Sequence, residues 1–130
     1  MSLWSAPVRY AECDQQGVAF NGHYLTWADE AATAFMTELG TPYAEMLARG
    51  LDTSVVASEL SWSAPAVWGD VVDVDGAVEK LGRTSFVWAF TIRVADRTCC
   101  VVRTTYVLVD HARTPTPLPD DLREAWAVGP

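Results

Sequence analysis

The segment Val71–Leu81 sets Val72, Val74, Gly76 and Val78 against Asp73, Asp75, Ala77 and Glu79 in strict alternation. Successive side chains of a strand point to opposite faces, so this pattern describes a strand with one buried and one wet face. Such a strand needs antiparallel neighbours and a layer packed on its apolar side. Ser85–Val94 repeats the alternation, with Phe86, Trp88, Phe90, Ile92 and Val94 on one side. Cys99–Val109 is a nearly unbroken apolar run, as expected of a central strand covered on both faces. Thr53–Ser63, carrying Val55, Val56, Leu60 and Trp62, reads as a fourth strand. Pro65, Gly69-Asp70, Leu81-Gly82-Arg83 and Ala95-Asp96-Arg97 supply the turns.

The packing layer comes earlier in the chain. Tyr24, Trp27, Ala28, Ala31, Phe35 and Leu39 recur at helical spacing, with Asp29, Glu30, Thr33 and Thr37 between them. Gly40 and Pro42 predict the stop of this helix, and a short second helix covers Tyr43–Arg49 before Gly50. Ahead of it, Val8-Arg9-Tyr10 reads as a short strand and Asp14-Gln15-Gln16-Gly17 as a polar turn. The tail carries three prolines between Thr114 and Pro119, then a short amphipathic stretch to Trp126. The pattern predicts a single α+β domain over residues 1–130. Because the inner face of the helix is rich in alanine, it can lie close against a strongly curved sheet. That points to the hotdog arrangement, a curved antiparallel sheet wrapped around one long central helix. Apolar surface left on the sheet, the Trp88 row included, predicts a homo-oligomer.

Composition narrows the partners. Nine basic against 17 acidic residues give a net charge of −8 and a sequence pI near 4.5. Binding nucleic acid requires clustered Lys and Arg, so a nucleic-acid partner is not expected. Lys80 is the single lysine, and no polybasic membrane patch exists. No signal peptide and no apolar run of about 20 residues is visible, so the chain reads as soluble and cytoplasmic. Cys13, Cys99 and Cys100 read as reduced thiols without metal-ligand spacing, the adjacent pair pointing to opposite faces of a strand.

His23 and His111 form no paired-ligand spacing, and no phosphate-binding glycine loop or nucleophile elbow appears. No metal or cofactor is expected. Cys13 is a poor nucleophile candidate, since a neighbouring carboxylate, Asp14, does not activate a thiol. What remains is the polar cluster Tyr10, Asp14, Asn21 and His23, running directly into the Ala-rich helix. Asp14 can be a plain turn former, although it stands too far from Asn21 to cap the helix. His23 can be a hydrogen bonder that fixes the loop, or a substrate contact. Alternatively, free N–H groups at the helix start stabilise a developing oxyanion while a carboxylate activates water or attacks a carbonyl.

The run Val8-Arg9-Tyr10-Ala-Glu-Cys-Asp14-Gln-Gln-Gly17-Val18-Ala-Phe-Asn21-Gly-His23-Tyr24-Leu-Thr-Trp27-Ala-Asp29 resembles acyl-CoA thioesterases of the 4-hydroxybenzoyl-CoA thioesterase type. The likeness continues through Val55-Val56, Pro65-Ala66, Gly69-Asp70 and Thr84-Ser85-Phe86-Val87, covering the chain to about Val109. It implies a hotdog thioesterase acting on an acyl- or aroyl-CoA, assembled as a dimer or tetramer with active sites between protomers. By the same resemblance Asp14 is the nucleophile or general base, and the backbone amide at Asn21 polarises the thioester carbonyl. Tyr10 and His23 complete the catalytic cluster, and Asp29 is structural. Gly17, Val18, Tyr24 and Trp27 form the loop and pocket, while Arg83, Thr84 and Ser85 meet the CoA phosphates. Relatives often carry His or Tyr in place of Asn21 and Asn in place of His23, exchanges that only a backbone role tolerates. Val18-Ala19 replaces a bulkier aliphatic pair, which widens the acyl pocket. Trp62, Trp68 and Trp88 read as core or interface. Two other readings stand beside this one: a hydroxyacyl-thioester dehydratase working through His23, and a non-catalytic acyl-CoA binder.

Overall fold

A computed structural model describes residues 2–128. In chain order the elements are β1 (Trp4–Pro7), α1 (Asn21–Glu38), α2 (Tyr43–Ala48), β2 (Leu51–Trp62), β3 (Val71–Leu81), β4 (Ser85–Val94), β5 (Arg97–Asp110) and α3 (Asp120–Val128). A single 3₁₀ turn occupies Tyr10–Glu12. The five strands form one antiparallel sheet in the order β1-β3-β4-β5-β2, so β1 and β2 are its edges. The sheet curls around α1, which is the α+β hotdog architecture.

Helix α1 buries Tyr24, Trp27, Ala28, Ala31, Ala32, Phe35 and Met36 against the sheet. It ends in a Schellman closure: the N–H groups of Gly40 and Thr41 donate to the carbonyls of Thr37 and Met36, at 3.0 and 2.9 Å. Gly40 takes φ +83, the left-handed conformation that glycine adopts without penalty. The alternation of β3 has a second purpose at Gly76. A β-carbon there would meet Phe35 Cγ and Phe90 Cε1 at 3.2 Å, so the missing side chain lets the helix ring reach the sheet.

Three register shifts bend the sheet, between Val55 and Ala57, Val78 and Lys80, and Ile92 and Arg93. The last interrupts the expected alternation: Ile92 pairs with Cys100 and Arg93 with Thr98, so Cys99 is an extra residue in β5, and both cysteines are fully buried. Two expectations change. The first strand is Trp4–Pro7, not Val8–Tyr10; Val8 N–H donates to the Asp70 carbonyl and the chain then turns. The Trp88 row faces the protomer's own core, where Trp88 is 0% exposed among Phe35, Phe86, Phe90, Tyr106 and Trp126.

The tail explains that burial. Helix α3 inserts Leu122 and Trp126 over the sheet, both 0% exposed, and the Trp126 indole N–H donates to Thr41 Oγ1 at 3.0 Å. Arg49 forms a bidentate pair with Asp121, and Arg123 donates to the Gly82 carbonyl at 2.7 Å. The tail thereby closes the core at the β3–β4 hairpin end. Trp126→Ala should cost about 3–5 kcal/mol of unfolding free energy through the cavity it leaves. Urea unfolding of the variant measures this, and a loss under 1 kcal/mol (of order a surface substitution) would show that α3 is not part of the core.

Candidate active site

Asp14 sits on a small hairpin between β1 and α1. Cys13 pairs with Ala19, Asp14 N–H donates to the Val18 carbonyl, and Gly17 N–H donates to the Asp14 carbonyl, both at 2.9 Å. Gly17 adopts φ +80 with open space where a β-carbon would lie, so its role is conformational. The hairpin is tied inward by Val18 pairing with Val67 and by Ala19 N–H donating to the Ala66 carbonyl. Asp14 Oδ1 accepts from Gln16 N–H at 2.8 Å, an Asx turn, and Oδ2 has no hydrogen bond among the described residues. The turn-forming reading of Asp14 therefore holds, and its second carboxylate oxygen is left over. Its carboxylate lines an open groove of about 610 Å³ with Tyr10, Ala11, Cys13, Gln15, Gly17 and Trp68.

The hairpin leads straight into α1. Phe20 occupies the N-cap position without a side-chain cap, and the first turn carries no acidic residue. The N–H groups of Asn21 and Gly22, both exposed, are thus left as donors at the positive end of an 18-residue helix. His23 packs its ring edge-on against Phe20, with centroids 6.3 Å apart, and makes no side-chain hydrogen bond among the described residues. Tyr10 is 75% exposed and stands edge-on to Trp68, itself 65% exposed. The two rings form one wall of the groove.

Tyr24 and Trp27 lie beneath this surface. The Tyr24 hydroxyl accepts from Ala66 N–H at 3.0 Å, and its ring packs against Trp27 and Trp62. Burial pushes the Tyr24 phenol above its ordinary range. Trp27 is 2% exposed and its indole N–H donates to Glu12 Oε2 at 3.2 Å. A separate apolar cleft of about 340 Å³ runs beside α1, lined by Leu25, Thr26, Ala28, Asp29, Val55, Ser58, Thr104 and Tyr106. Asp29 is exposed at its mouth, and the Ser58 and Thr104 hydroxyls bond each other at 3.0 Å.

Arg83, Thr84 and Ser85 are elsewhere. They turn between β3 and β4, pinned by Leu118 N–H to the Arg83 carbonyl and Leu108 N–H to the Thr84 carbonyl, each 2.9 Å or less. The 11 residues of β3 lead from the Asp14 hairpin end to this turn, a length of about 36 Å at ~3.3 Å per residue. One protomer does not bring Arg83 to Asp14. Lys80 and Arg83 are nonetheless the basic residues that have neither an ion pair nor a side-chain hydrogen bond among the described residues. Among the same residues no three His, Cys, Asp or Glu side chains gather where they could hold a metal ion.

The residue that sequence reasoning passed over is Glu12. Its carboxylate is 6% exposed and accepts from Arg9 N–H at 2.8 Å, from the Arg9 guanidinium and from the Trp27 indole. Burial alone would raise its pKa, but these donors outweigh it and hold the carboxyl below its ordinary range. The spacing Arg9-x-x-Glu12, three residues ahead of a turn, was the available signal.

The fold is that of a hotdog enzyme, and within one protomer the Asp14 groove and the apolar cleft beside α1 share no lining residue. Comparison agrees. The family model of the thioesterase superfamily matches residues 16–101, beginning just after Asp14. The chain belongs to the thioesterase superfamily. It is 32% identical over 85 residues to YneP of Bacillus subtilis strain 168, named as an acyl-CoA thioesterase, an alignment covering 65% of this chain and 62% of that protein. The Thermus thermophilus protein TT1821 superposes over 100% of both chains, with TM-score 0.91 and 27% identity. The DHNA-CoA thioesterase of Staphylococcus aureus superposes with TM-score 0.84 and 25% identity, over 96% of this chain and 87% of that one.

The sign of the Glu12 contribution follows from its lowered pKa. The folded protein binds the Glu12 proton less readily than the unfolded chain, so the stabilisation is complete above the ordinary carboxylate range and disappears as pH falls through it. The stability gap between wild type and Glu12→Gln, from urea unfolding, should narrow on going from neutral pH to about pH 3. A gap independent of pH would mean that Glu12 is not held as the anion.

Proposed function

We propose that the protein hydrolyses an acyl- or aroyl-CoA thioester to the free acid and CoA, with Asp14 as the reactive carboxylate. The observation that carries this reading is the Asp14 hairpin running into an uncapped α1, with one carboxylate oxygen left without a hydrogen bond. Used as a general base, Asp14 takes a proton from water while the water oxygen attacks the thioester carbon. Used as a nucleophile, its own oxygen attacks, and water then hydrolyses the resulting anhydride. In either route negative charge develops on the former carbonyl oxygen, where the N–H groups at the start of α1 stabilise it. The C–S bond then breaks, and the CoA thiolate leaves and takes up a proton. The cleft beside α1 is apolar enough to hold an acyl or aromatic group, and the likeness to a DHNA-CoA thioesterase supports an aromatic one.

A second copy of the chain completes the site in this reading. Strand β2 is a 12-residue edge strand that exposes Val55, Val56 and Trp62, a template for pairing with its own copy. With Arg83 at the far end of the protomer, the CoA phosphates of one site meet the Lys80 and Arg83 hairpin of another protomer, in a dimer or tetramer. Free thiols at Cys13, Cys99 and Cys100 suit the reducing cytoplasm, where CoA thioesters occur. His23 packed against Phe20 gives no support to dehydratase chemistry.

The test is a panel of acyl- and aroyl-CoA thioesters with thiol release as the signal. Asp14→Asn should lower kcat/KM by about 10²–10⁴-fold while thermal stability is retained. Wild-type turnover in that variant would falsify the role given to Asp14.

A further inference from the structure

We propose that Glu12 is a positioning residue of the Asp14 site, a buried carboxylate that sets the reactive hairpin in register with the start of α1. The inference rests on the reading of Asp14 given above and adds a residue to it. Glu12 is bonded at both ends of the loop that bears Asp14. On the incoming side its Oε1 accepts from Arg9 N–H at 2.8 Å, where the 3₁₀ turn begins. On the outgoing side its backbone carbonyl accepts from Phe20 N–H at 2.8 Å, the residue on which α1 starts. Its Oε2 accepts from Trp27 Nε1 at 3.2 Å, two turns into the same helix. One residue therefore links the approach to Asp14, the helix N-terminus and the helix body.

A carboxylate buried to 6% exposure is unfavourable unless donors converge on it. An apolar side chain of similar size would fill the space without that cost. What the carboxylate adds is direction: two acceptor oxygens, each aimed at a donor from a different element. Glutamine can present only one oxygen, and its amide would turn N–H groups toward the Arg9 N–H or the indole N–H. Glu12 does not line the Asp14 groove. It faces a different cleft, on the β1 side with Trp4, Arg9 and Glu30. It therefore acts through the hairpin and not on the substrate. The geometry at stake is the separation between the Asp14 carboxylate and the Asn21 amide, since a displacement of about 1 Å can cost about 10²-fold in rate.

The experiment compares kcat and KM of the full-length wild type, Glu12→Gln, Trp27→Phe and the double variant, on whichever CoA thioester the wild type hydrolyses best. Thermal melting is followed in parallel, and rates are taken well below every midpoint. Glu12→Gln should lower kcat by roughly 10–100-fold, with KM within about threefold of wild type. Trp27→Phe keeps the buried ring but removes the donor, and should lower kcat in the same direction by a smaller factor. The double variant should be no slower than Glu12→Gln, because both changes remove one interaction. A lower melting temperature with wild-type kcat would reduce Glu12 to a stability residue and overturn the proposal, as would full multiplicativity in the double variant. If Glu12→Gln does not fold, wild-type kcat in Trp27→Phe overturns it alone. Asp14→Asn separates the two readings. An active Asp14→Asn removes the underlying mechanism, whereas an inactive one beside a fully active Glu12→Gln removes only the positioning role.

Discussion

The close approach of α1 to the sheet is the constraint on which the other features depend. Phe35 reaches Gly76 and Phe90 because β3 has no side chain at that point, and Ala28, Ala31 and Ala32 keep the rest of the helix near the strands. A helix seated so near the sheet forces the strands to curl around it, and the three register shifts supply the bend. The curl also settles where the helix begins. Its N-terminus emerges beside the β2–β3 connection, where Ala66 holds both the Tyr24 hydroxyl and the end of the Asp14 hairpin. The hairpin that carries Asp14 is thus anchored where the packed helix begins.

Polar groups at the two ends of the protomer have opposite tasks. At the Asp14 end, Glu12 and Tyr24 use buried hydrogen bonds to fix a short loop, and the loop leaves donors and a carboxylate oxygen uncommitted. At the hairpin end, α3 consumes its polar groups in closing the core, through Trp126 on Thr41 and Arg123 on Gly82. The first end keeps a carboxylate oxygen without a hydrogen bond, whereas the second closes the core and, of its basic residues, leaves only Lys80 and Arg83 unpaired at its surface among the described residues. The aromatic cluster around Trp88 is therefore covered by α3, away from the Asp14 loop, which is partly exposed without exposing the core.

Much of this was legible in the sequence because alternation and helical spacing are local signals. β3 and β4 run from Val71 to Leu81 and from Ser85 to Val94, the bounds the pattern predicts, and α1 begins three residues earlier and ends one residue earlier than its pattern, at Glu38. What was not legible depends on non-local geometry. The strand Trp4–Pro7 carries too few residues and too little hydrophobicity to stand out, and it exists because β3 has a free edge for it. The paired burial of Cys99 and Cys100 needs a bulge, which depends on the facing strand and not on the residues themselves. Trp88 looked available for a partner because the tail that covers it is a short helix after a proline-rich stretch. Glu12 is the most instructive case. A glutamate reads as exposed by default, and only the convergence of Arg9 and Trp27 makes burial of its charge tolerable. In the Asp14 segment, the position of Asp14 before the helix was visible, but the hydrogen bonds of Glu12 to Arg9 and Trp27 were not.

The acidity of the chain bears on how it meets a phosphate-rich ligand. A net charge of −8 repels CoA at long range, which slows encounter without preventing binding. What matters at contact is which cations remain uncommitted. Arg9, Arg49, Arg93, Arg97 and Arg103 each face a carboxylate, and their charge is locally cancelled. Arg113 and Arg123 are held by Ser54 Oγ and the Gly82 carbonyl. Lys80 and Arg83 have no such partner among the described residues, and both lie at the β3–β4 hairpin, at the other end of the sheet from Asp14. A polyanion drawn to that hairpin cannot present its thioester to the Asp14 of the same protomer without spanning the length of the sheet. Under the function proposed above, this separation assigns the phosphate contacts to a second copy of the chain.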